Sequence, residues 1–439
     1  MKPAVRILLL AGSAALYGVL AYATPRTEFG QLLGILLLAF GLYGWAMRAG
    51  LPLRQGLVAA LVLRLLWLPA LPALSDDYHR FRWDGLLVAQ GVNPYQFRPD
   101  ELLKPTGPLP AQLAAELYPR LNSPHYYSVY PPVCQAAFGA AARLFPTSAL
   151  GFVVVLRLLI LGAELGTALL LLALLRRFNL PAQQALWYLL NPLVLVELTG
   201  NLHFEALVVC LLLLLLWLAT RGQVARAGAA LALAVATKLL PLLVLPLLVR
   251  RLDWGQLLRF LSVLAIGLLV LFAPFLSIEL FRNIGRSLTL YFRNFEFNAS
   301  VYYLLRAAGQ WYKGYNDIAR IGPALACATA VGSLLLAARE RQPAWATLPR
   351  ALLLLLTLYF LLATTVHPWY ITPLIALGVF TRLHYPVAWS GLAVLSYSAY
   401  RTSAYTENLW VVGLEYGLLL AVLVADARQG RFSAQPQRA

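Results

Sequence analysis

The stretch QGLVAALVLRLLWLPALPALSDDYHRFRWDGLLVAQGVNPY, residues 55–95, changes character once, and that change sets the architecture. From Gln55 to Leu74 it is apolar and long enough for a membrane crossing, which takes about 20 residues of helix. From Ser75 onward come paired aspartates, two arginines, a third aspartate and an Asn-Pro-Tyr turn. A helix that reaches the membrane edge and releases a charged segment there reconciles the two halves.

The rest of the chain repeats the apolar half of this pattern. Of 439 residues, 61% are hydrophobic and 12% charged, and the mean hydropathy is +0.71. A water-soluble core cannot absorb that much apolar surface, so the fold class is an all-α polytopic membrane protein. The opening MKPAVRILLL has no small-residue cleavage site and further spans follow closely, so it reads as a retained first helix. Apolar runs place spans at 5–24, 31–47, 55–74, 150–175, 182–198, 204–219, 225–237, 239–249, 257–275, 321–338, 351–366, 370–381, 387–397 and 409–425. Several fall short of a full crossing, which makes the expected bundle about 12 to 14 transmembrane helices.

Formal charge is +17, yet the arginines are spread over short loops instead of gathered in one patch, so nucleic acid is not an expected partner. Lys and Arg near helix ends mark the cytoplasmic side. With the N-terminus inside, the inner loops hold Arg48, Arg54, Arg176, Arg177, Arg221, Arg226, Arg250, Arg251, Arg339 and Arg341, and the tail holds Arg428, Arg431 and Arg438. That parity requires YPPVCQAAFGAAARLF, from Tyr130, to be a helix lying in or on the membrane and not a span. The expected divisions are N-terminal helices 1–74, a first outer loop 75–147, helices 148–276, a second outer segment 277–320, C-terminal helices 321–427 and a cytoplasmic tail 428–439. Aromatic and charged residues in both outer segments suit amphipathic helices resting on the outer surface. Cys134, Cys210 and Cys327 fit no metal spacing or disulfide framework and read as small apolar side chains.

Polar residues unusual for a membrane protein fall at outer helix ends: Asp76 and Asp77; Asn201, His203 and Glu205 in TGNLHFEAL; Lys238 in VATKLLPLLVLP; His367, Trp369 and Tyr370 in TTVHPWYITP; and Arg401 in SAYRTSAY. Ionisable groups at a membrane edge are costly and face a cavity or a partner, so one shared polar hollow is the economical explanation. Each residue also has a plainer role. One aspartate can cap a helix, Lys238 can snorkel to headgroups, and His367 with Trp369 and Tyr370 suits an interfacial belt. The functional reading makes an ionised aspartate the general base toward a bound hydroxyl, Lys238 the counter-ion of a lipid phosphate, and His367 a phosphate ligand or a sugar hydrogen-bond partner. Arg293, among several cations of the second outer segment, would close over an anionic donor. HFE is not an HExxH pattern, so zinc is not expected.

Taken together, SDDYHRFRWDGLLVAQGVNPY, VYPPVCQAAF, GNLHFEAL, ATKLLPLLVLPLL and TTVHPWYITP resemble, in order, the GT-C superfamily of integral-membrane glycosyltransferases that use polyprenyl-phosphate sugars, especially its bacterial mannosyltransferase-like members. The helices before the acidic loop depart from the usual pattern by an added pair. The resemblance implies that an aspartate of the acidic motif deprotonates the acceptor, Asp76 matching best and Asp77 in reserve. It also marks Arg80, Trp83, Asp84, Asn93 and Tyr130 as substrate-binding candidates. It implies inversion by single displacement from a polyprenyl-phosphate hexose, mannose being the expected sugar, to a lipid or glycan acceptor at the outer face of a bacterial inner membrane. The two aspartates have the oxygens to hold a divalent metal, but the resemblance is to metal-independent members, so no cofactor is expected. Two rivals share the helix count: a secondary transporter or lipid flippase, which should show repeated halves, and a non-catalytic envelope-assembly protein, which would not need Asp76.

Overall fold

A computed structural model describes residues 3–103, 108–293, 295–402 and 405–432. Leucine-rich segments become helices because lipid offers no partner to a backbone N–H or C=O, and a helix satisfies its own. Numbering only helices of twelve residues or more, the chain opens with α1 (Pro3–Tyr22), α2 (Phe29–Arg48) and α3 (Leu53–Leu65). The segment after Leu74, expected as the first outer loop, contributes α4 (Asp77–Ala89) and α5 (Pro132–Leu144). The middle of the bundle is α6 (Ala149–Arg177), α7 (Glu205–Ala219), α8 (Val224–Val235) and α9 (Trp254–Phe272). Residues 277–320, expected as the second outer segment, give α10 (Ile278–Arg293) and α11 (Val301–Lys313), and α12 (Ile318–Arg339), α13 (Leu348–Leu362) and α14 (Leu409–Arg428) complete the bundle. Among the described residues the nearest thing to a strand is an isolated parallel bridge between Phe297 and Thr365.

Among the described residues seven helices are long and apolar enough to span a membrane, or up to eight if the bent pair Pro192–Gly200 and Glu205–Ala219 counts as one span. That is fewer than the 12 to 14 expected, and proline explains most of the difference. Segment 182–198 breaks at Pro192, 239–249 is a 3-10 turn and a five-residue helix each beginning near a proline, and 370–381 starts as a 3-10 turn behind Pro368. A proline removes one backbone donor and crowds the preceding turn. Segment 55–74 is helical only to Leu65, and 387–397 passes from Tyr385–Leu392 into a 3-10 helix, Ala393–Arg401. On the long helices Leu165, Leu169, Ile266, Leu269 and Val270 are exposed, as lipid-facing side chains are.

The helix expected from Tyr130 is α5, and with 13 residues it is too short to cross. It packs along α4, where Phe81 and Phe138 stack with centroids 4.5 Å apart. Their approach depends on Gly85, since a Cβ there would sit 2.4 Å from the Phe138 carbonyl oxygen. In the second outer segment, Phe281, Trp311 and Tyr312 are left exposed on α10 and α11. That segment then pairs with the chain before His367: Phe297 donates to the Thr364 carbonyl at 3.0 Å, and Val366 to the Phe297 carbonyl at 2.8 Å.

Many of the loop arginines tie helix ends together at the face opposite the acidic motif. Arg177 donates to the Thr220 carbonyl at 2.8 Å, Arg250 to that of Ala337 at 2.9 Å, and Arg251 to that of Ala344 at 3.0 Å. Because α7 begins at Glu205 and ends beside Thr220, this basic face lies about 22 Å from the acidic one at 1.5 Å per residue.

Candidate active site

Where the chain leaves the apolar Leu74 it starts α4, with Asp76 at the N-cap position and Asp77 as the first helical residue. The expectation that one aspartate caps the helix is corrected: the Asp76 side chain makes no capping hydrogen bond and instead pairs with Arg26, from the turn between α1 and α2. Arg26 also donates to the Tyr405 hydroxyl at 2.9 Å and lies over the rings of Tyr400 and Tyr405 at 5.0 and 5.5 Å. Asp77 turns the other way. Its Oδ1 accepts from Asn122 Nδ2 at 2.8 Å, and its Oδ2 stands 3.8 Å from His203 Nε2. Burial opposes the charge on Asp77, but the imidazole of His203 beside it and the hydrogen bond from Asn122 outweigh burial and hold its carboxyl below the usual value. The helix N-terminus favours the same ionised form.

His203 is presented by an irregular backbone. Asn191 caps the short helix at Pro192, accepting from Leu193 N at 2.9 Å, and the chain then widens into a π-helical turn, Leu195–Gly200. Leu202 follows with φ of 63°, a left-handed conformation a leucine adopts only at a cost. π-turns and such strain recur at functional sites because they re-aim side chains that a regular helix would hide. Glu197, at the centre of the turn, is buried: its carboxylate accepts from Asn201 Nδ2 at 3.1 Å and from the Tyr397 hydroxyl, while His203 Nδ1 hydrogen-bonds the Glu197 carbonyl oxygen at 3.0 Å and lies 3.1 Å from the carboxylate. With Nδ1 engaged, His203 aims Nε2 at Asp77, and that nitrogen is buried with no hydrogen-bond partner.

A column of rings continues from His203. Trp369 stacks on it with centroids 3.8 Å apart, His367 stacks on the other face of Trp369 at 4.4 Å, and Phe297 stacks on His367 at 4.7 Å. His367 Nδ1 is also buried without a partner, and burial pushes this imidazole down to about 3, so it is neutral at pH 7. Asp77, His203 and Lys238 all lie within electrostatic reach of it. Lys238 follows the end of α8, pairs with Glu205 at the start of α7, and sits 4.0 Å from the centroid of the Tyr370 ring. Residues from four distant segments, 76–77, 201–205, 238 and 367–370, therefore meet.

Other candidates do not join them. Arg80 and Asp84 form a buried pair at 2.8 Å, with Arg80 holding the carbonyls of Ser123 and Tyr126, and Asp84 accepting from Ser128 and from Gln135 at 3.2 Å. These contacts fold the outer loop and leave little to offer a substrate. Trp83 is buried in the core near Tyr118. Asn93 accepts from Tyr95 N and donates to the Phe275 carbonyl, which secures a turn. The Tyr130 ring packs against Phe81 and Phe138. Trp369 cannot stack on a sugar, because imidazoles cover both its faces. Arg401 is exposed at the end of its 3-10 helix, and the Arg293 side chain lies outside the described residues.

Three partners escaped the sequence reading: Arg26, Asn122 and Glu197. Glu197 carried the clearest signal, being a carboxylate inside the apolar run LVLVELTG, and such a residue needs a partner. Arg26 looked like an ordinary cation in a short turn. Nothing local sets Asn122 apart. Among the described residues no three His, Cys, Asp or Glu side chains form a group able to hold a metal ion.

Comparison with known proteins finds no match among curated ones. Residues 12–252, more than half of the chain, match the family model described as alpha-(1->6)-mannopyranosyltransferase, N-terminal domain (MptA_B family), a GT-C-type group. The match takes in Arg26, both aspartates, Asn122, the π-turn and Lys238, and stops before the His367 loop. With the helical membrane fold, it establishes that this chain belongs to the MptA_B family of alpha-(1->6)-mannosyltransferases, and so to the glycosyltransferases.

Proposed function

We propose that the protein moves mannose from a polyprenyl-phosphate donor to a hydroxyl of a lipid or glycan acceptor, at the outer face of a bacterial inner membrane. The observation that carries this reading is the meeting of Asp77, His203, Lys238 and His367 at one end of the bundle, beside apolar helices. A donor with a prenyl tail and a phosphosugar head has the same division between lipid and water.

Asp77 is the base in this proposal, although the family pattern favours Asp76. Asp76 is engaged by Arg26, whereas Asp77 is held ionised and keeps an oxygen toward His203. The acceptor oxygen attacks the anomeric carbon as the bond to the phosphate oxygen breaks, its proton passes to Asp77, and the configuration inverts. Negative charge grows on the leaving phosphate, and Lys238, whose ammonium pairs with Glu205 and lies 4.0 Å from the Tyr370 ring centroid, is the cation assigned to it. Neutral His367 suits a sugar hydroxyl better than it suits a phosphate, since it brings a hydrogen bond without charge.

The mechanism is proposed without a metal, because the acids already have protein partners: Arg26 for Asp76, Asn122 and His203 for Asp77. Addition of a chelator is expected to leave the rate unchanged, and loss of activity restored by magnesium would reverse this point.

The deciding experiment incubates purified protein with polyprenyl-phosphate mannose and a panel of membrane lipids and glycans. Wild type is expected to form product, Asp77→Asn to lose it by about 10²–10⁴-fold, the range of a general base, and Asp76→Asn to lose less. Full activity in Asp77→Asn would remove the base assignment. Absence of product from any prenyl-linked sugar would remove the donor assignment.

A further inference from the structure

Arg157, in the middle of α6, is fully buried, and among the described residues it pairs with no carboxylate. Its guanidinium is instead occupied by four backbone carbonyls: Thr199 at 2.7 Å, Gly200 at 2.9 Å, Leu68 at 3.0 Å and Ala70 at 2.5 Å. These belong to two segments. Thr199 and Gly200 end the π-turn just before His203, and Leu68 and Ala70 lie in the turns that run into Asp76 and Asp77.

A second contact joins the same two segments. A Cβ on Gly200 would approach the Trp67 ring to 2.8 Å, so the backbone at Gly200 lies directly on Trp67. The four carbonyls lie where the π-turn ends and where the turns after α3 give way to extended chain, and buried carbonyls without donors are costly. One planar fork with five N–H groups satisfies all four oxygens and makes their separation rigid; the single ammonium of lysine has neither the reach nor the planarity.

We propose that Arg157 is a positioning residue for glycosyl transfer, fixing the separation of Asp77 from His203 by clamping the carbonyls of Leu68, Ala70, Thr199 and Gly200. The inference rests on the proposed role of the Asp77 and His203 pair, and it makes Arg157 act without touching substrate. His203 is faced by Asp77 from α4, Glu197 from the π-turn and Glu205 from α7, with His367 behind Trp369. Of these, Asp77 is the group whose distance the clamp sets.

The test compares Arg157→Lys with Arg64→Lys, a change at another buried arginine of the bundle, and with Asp77→Asn. Steady-state rates are measured across pH, and the five imidazoles are followed by ¹⁵N NMR of histidine-labelled protein in detergent. Expected for Arg157→Lys are a kcat about 10²-fold lower, as for a misplacement near 1 Å, a donor KM within about twofold, an altered acid limb, and a His203 signal displaced toward that of Asp77→Asn. Arg64→Lys should lower the thermal midpoint and leave the His203 signal in place. Wild-type His203 signal and pH profile in Arg157→Lys would overturn the proposal, whatever happens to stability. Should that variant not fold, Gly200→Ala, which pushes the same carbonyl off the clamp, is read in the same way. Full activity of Asp77→Asn would defeat the base assignment, and the His203 signal would still decide for or against the clamp.

Discussion

Two buried polar nodes in this molecule use the same residue types to opposite ends. In mid-bundle, Arg64 from α3 donates to Glu164 of α6 through Nη2 at 2.6 Å and Nε at 3.2 Å, and to the carbonyls of Ala60 and Leu189, while Tyr188 donates to the other Glu164 oxygen at 2.8 Å. None of these three side chains leaves a buried polar atom unpaired. At the end of the bundle, Glu197 is just as buried and gathers donors too, yet its neighbours His203 Nε2 and Asn201 Oδ1 lack partners, as does His367 Nδ1 across Trp369. An unmet buried polar atom costs on the order of 1–3 kcal/mol. A node that is fully satisfied stabilises the fold; one that keeps open atoms beside lipid is shaped for something that arrives.

The comparison can be broken from either side. The largest effect on stability should come from Glu164→Ala, which strands the Arg64 charge and is expected to cost about 3–5 kcal/mol, measured by thermal unfolding in detergent, with kcat of the folded fraction unchanged. A large loss of kcat in that folded fraction would make the two nodes one. Next is Lys238→Ala, expected to raise the donor KM by about tenfold, in line with a charge-assisted contact of 1.5–3 kcal/mol, with folding retained; titration of polyprenyl-phosphate mannose measures it.

The pH dependence sharpens the contrast further. Because Asp77 is held below its ordinary value, the base form persists as pH falls, and the acid limb of kcat/KM should lie below the usual carboxylate range near 4. Its stabilising contribution has the same sign: present above the unfolded value and lost as pH falls through the folded one. Asn122→Ala removes one of the groups that lower it, so the limb should move to higher pH; a limb that stays in place would show that Asn122 does not act on Asp77. The smallest effect is expected from Trp369→Phe. Both ring faces are already covered, so donor KM should change by less than about threefold, consistent with an aromatic contact worth about 0.5–1.5 kcal/mol. A larger change would mean that the sugar uses this ring directly.

Much of the fold was legible because lipid imposes a simple rule on sequence. Apolar runs near 20 residues became helices, and the charge after Leu74 became a separate helix at the end of the bundle. Fewer of the expected segments are single long helices where prolines cut apolar runs into turns, since composition alone does not register where a backbone bends. Residue types at helix ends singled out Asp77, His203, Lys238 and His367, which meet, whereas the motif resemblance added Arg80, Asp84 and Trp83, whose contacts are within the loop and the core. Side chains in one motif look alike in sequence and diverge only when a helix turns them to different faces.

What the sequence by itself determined was the solvent: a chain this apolar must be helical in lipid, and its ionisable residues must be few and partnered. What only the tertiary structure decided was which partners they have. Arg26 goes to Asp76, Asn122 and His203 go to Asp77, and Glu197 orients His203, through contacts whose separations run from 6 positions (Glu197 to His203) to 126 (Asp77 to His203). The physical reason is range. Hydrophobic periodicity is local and can be read along the chain, whereas a hydrogen bond of about 3 Å between distant segments exists only after the helices have packed.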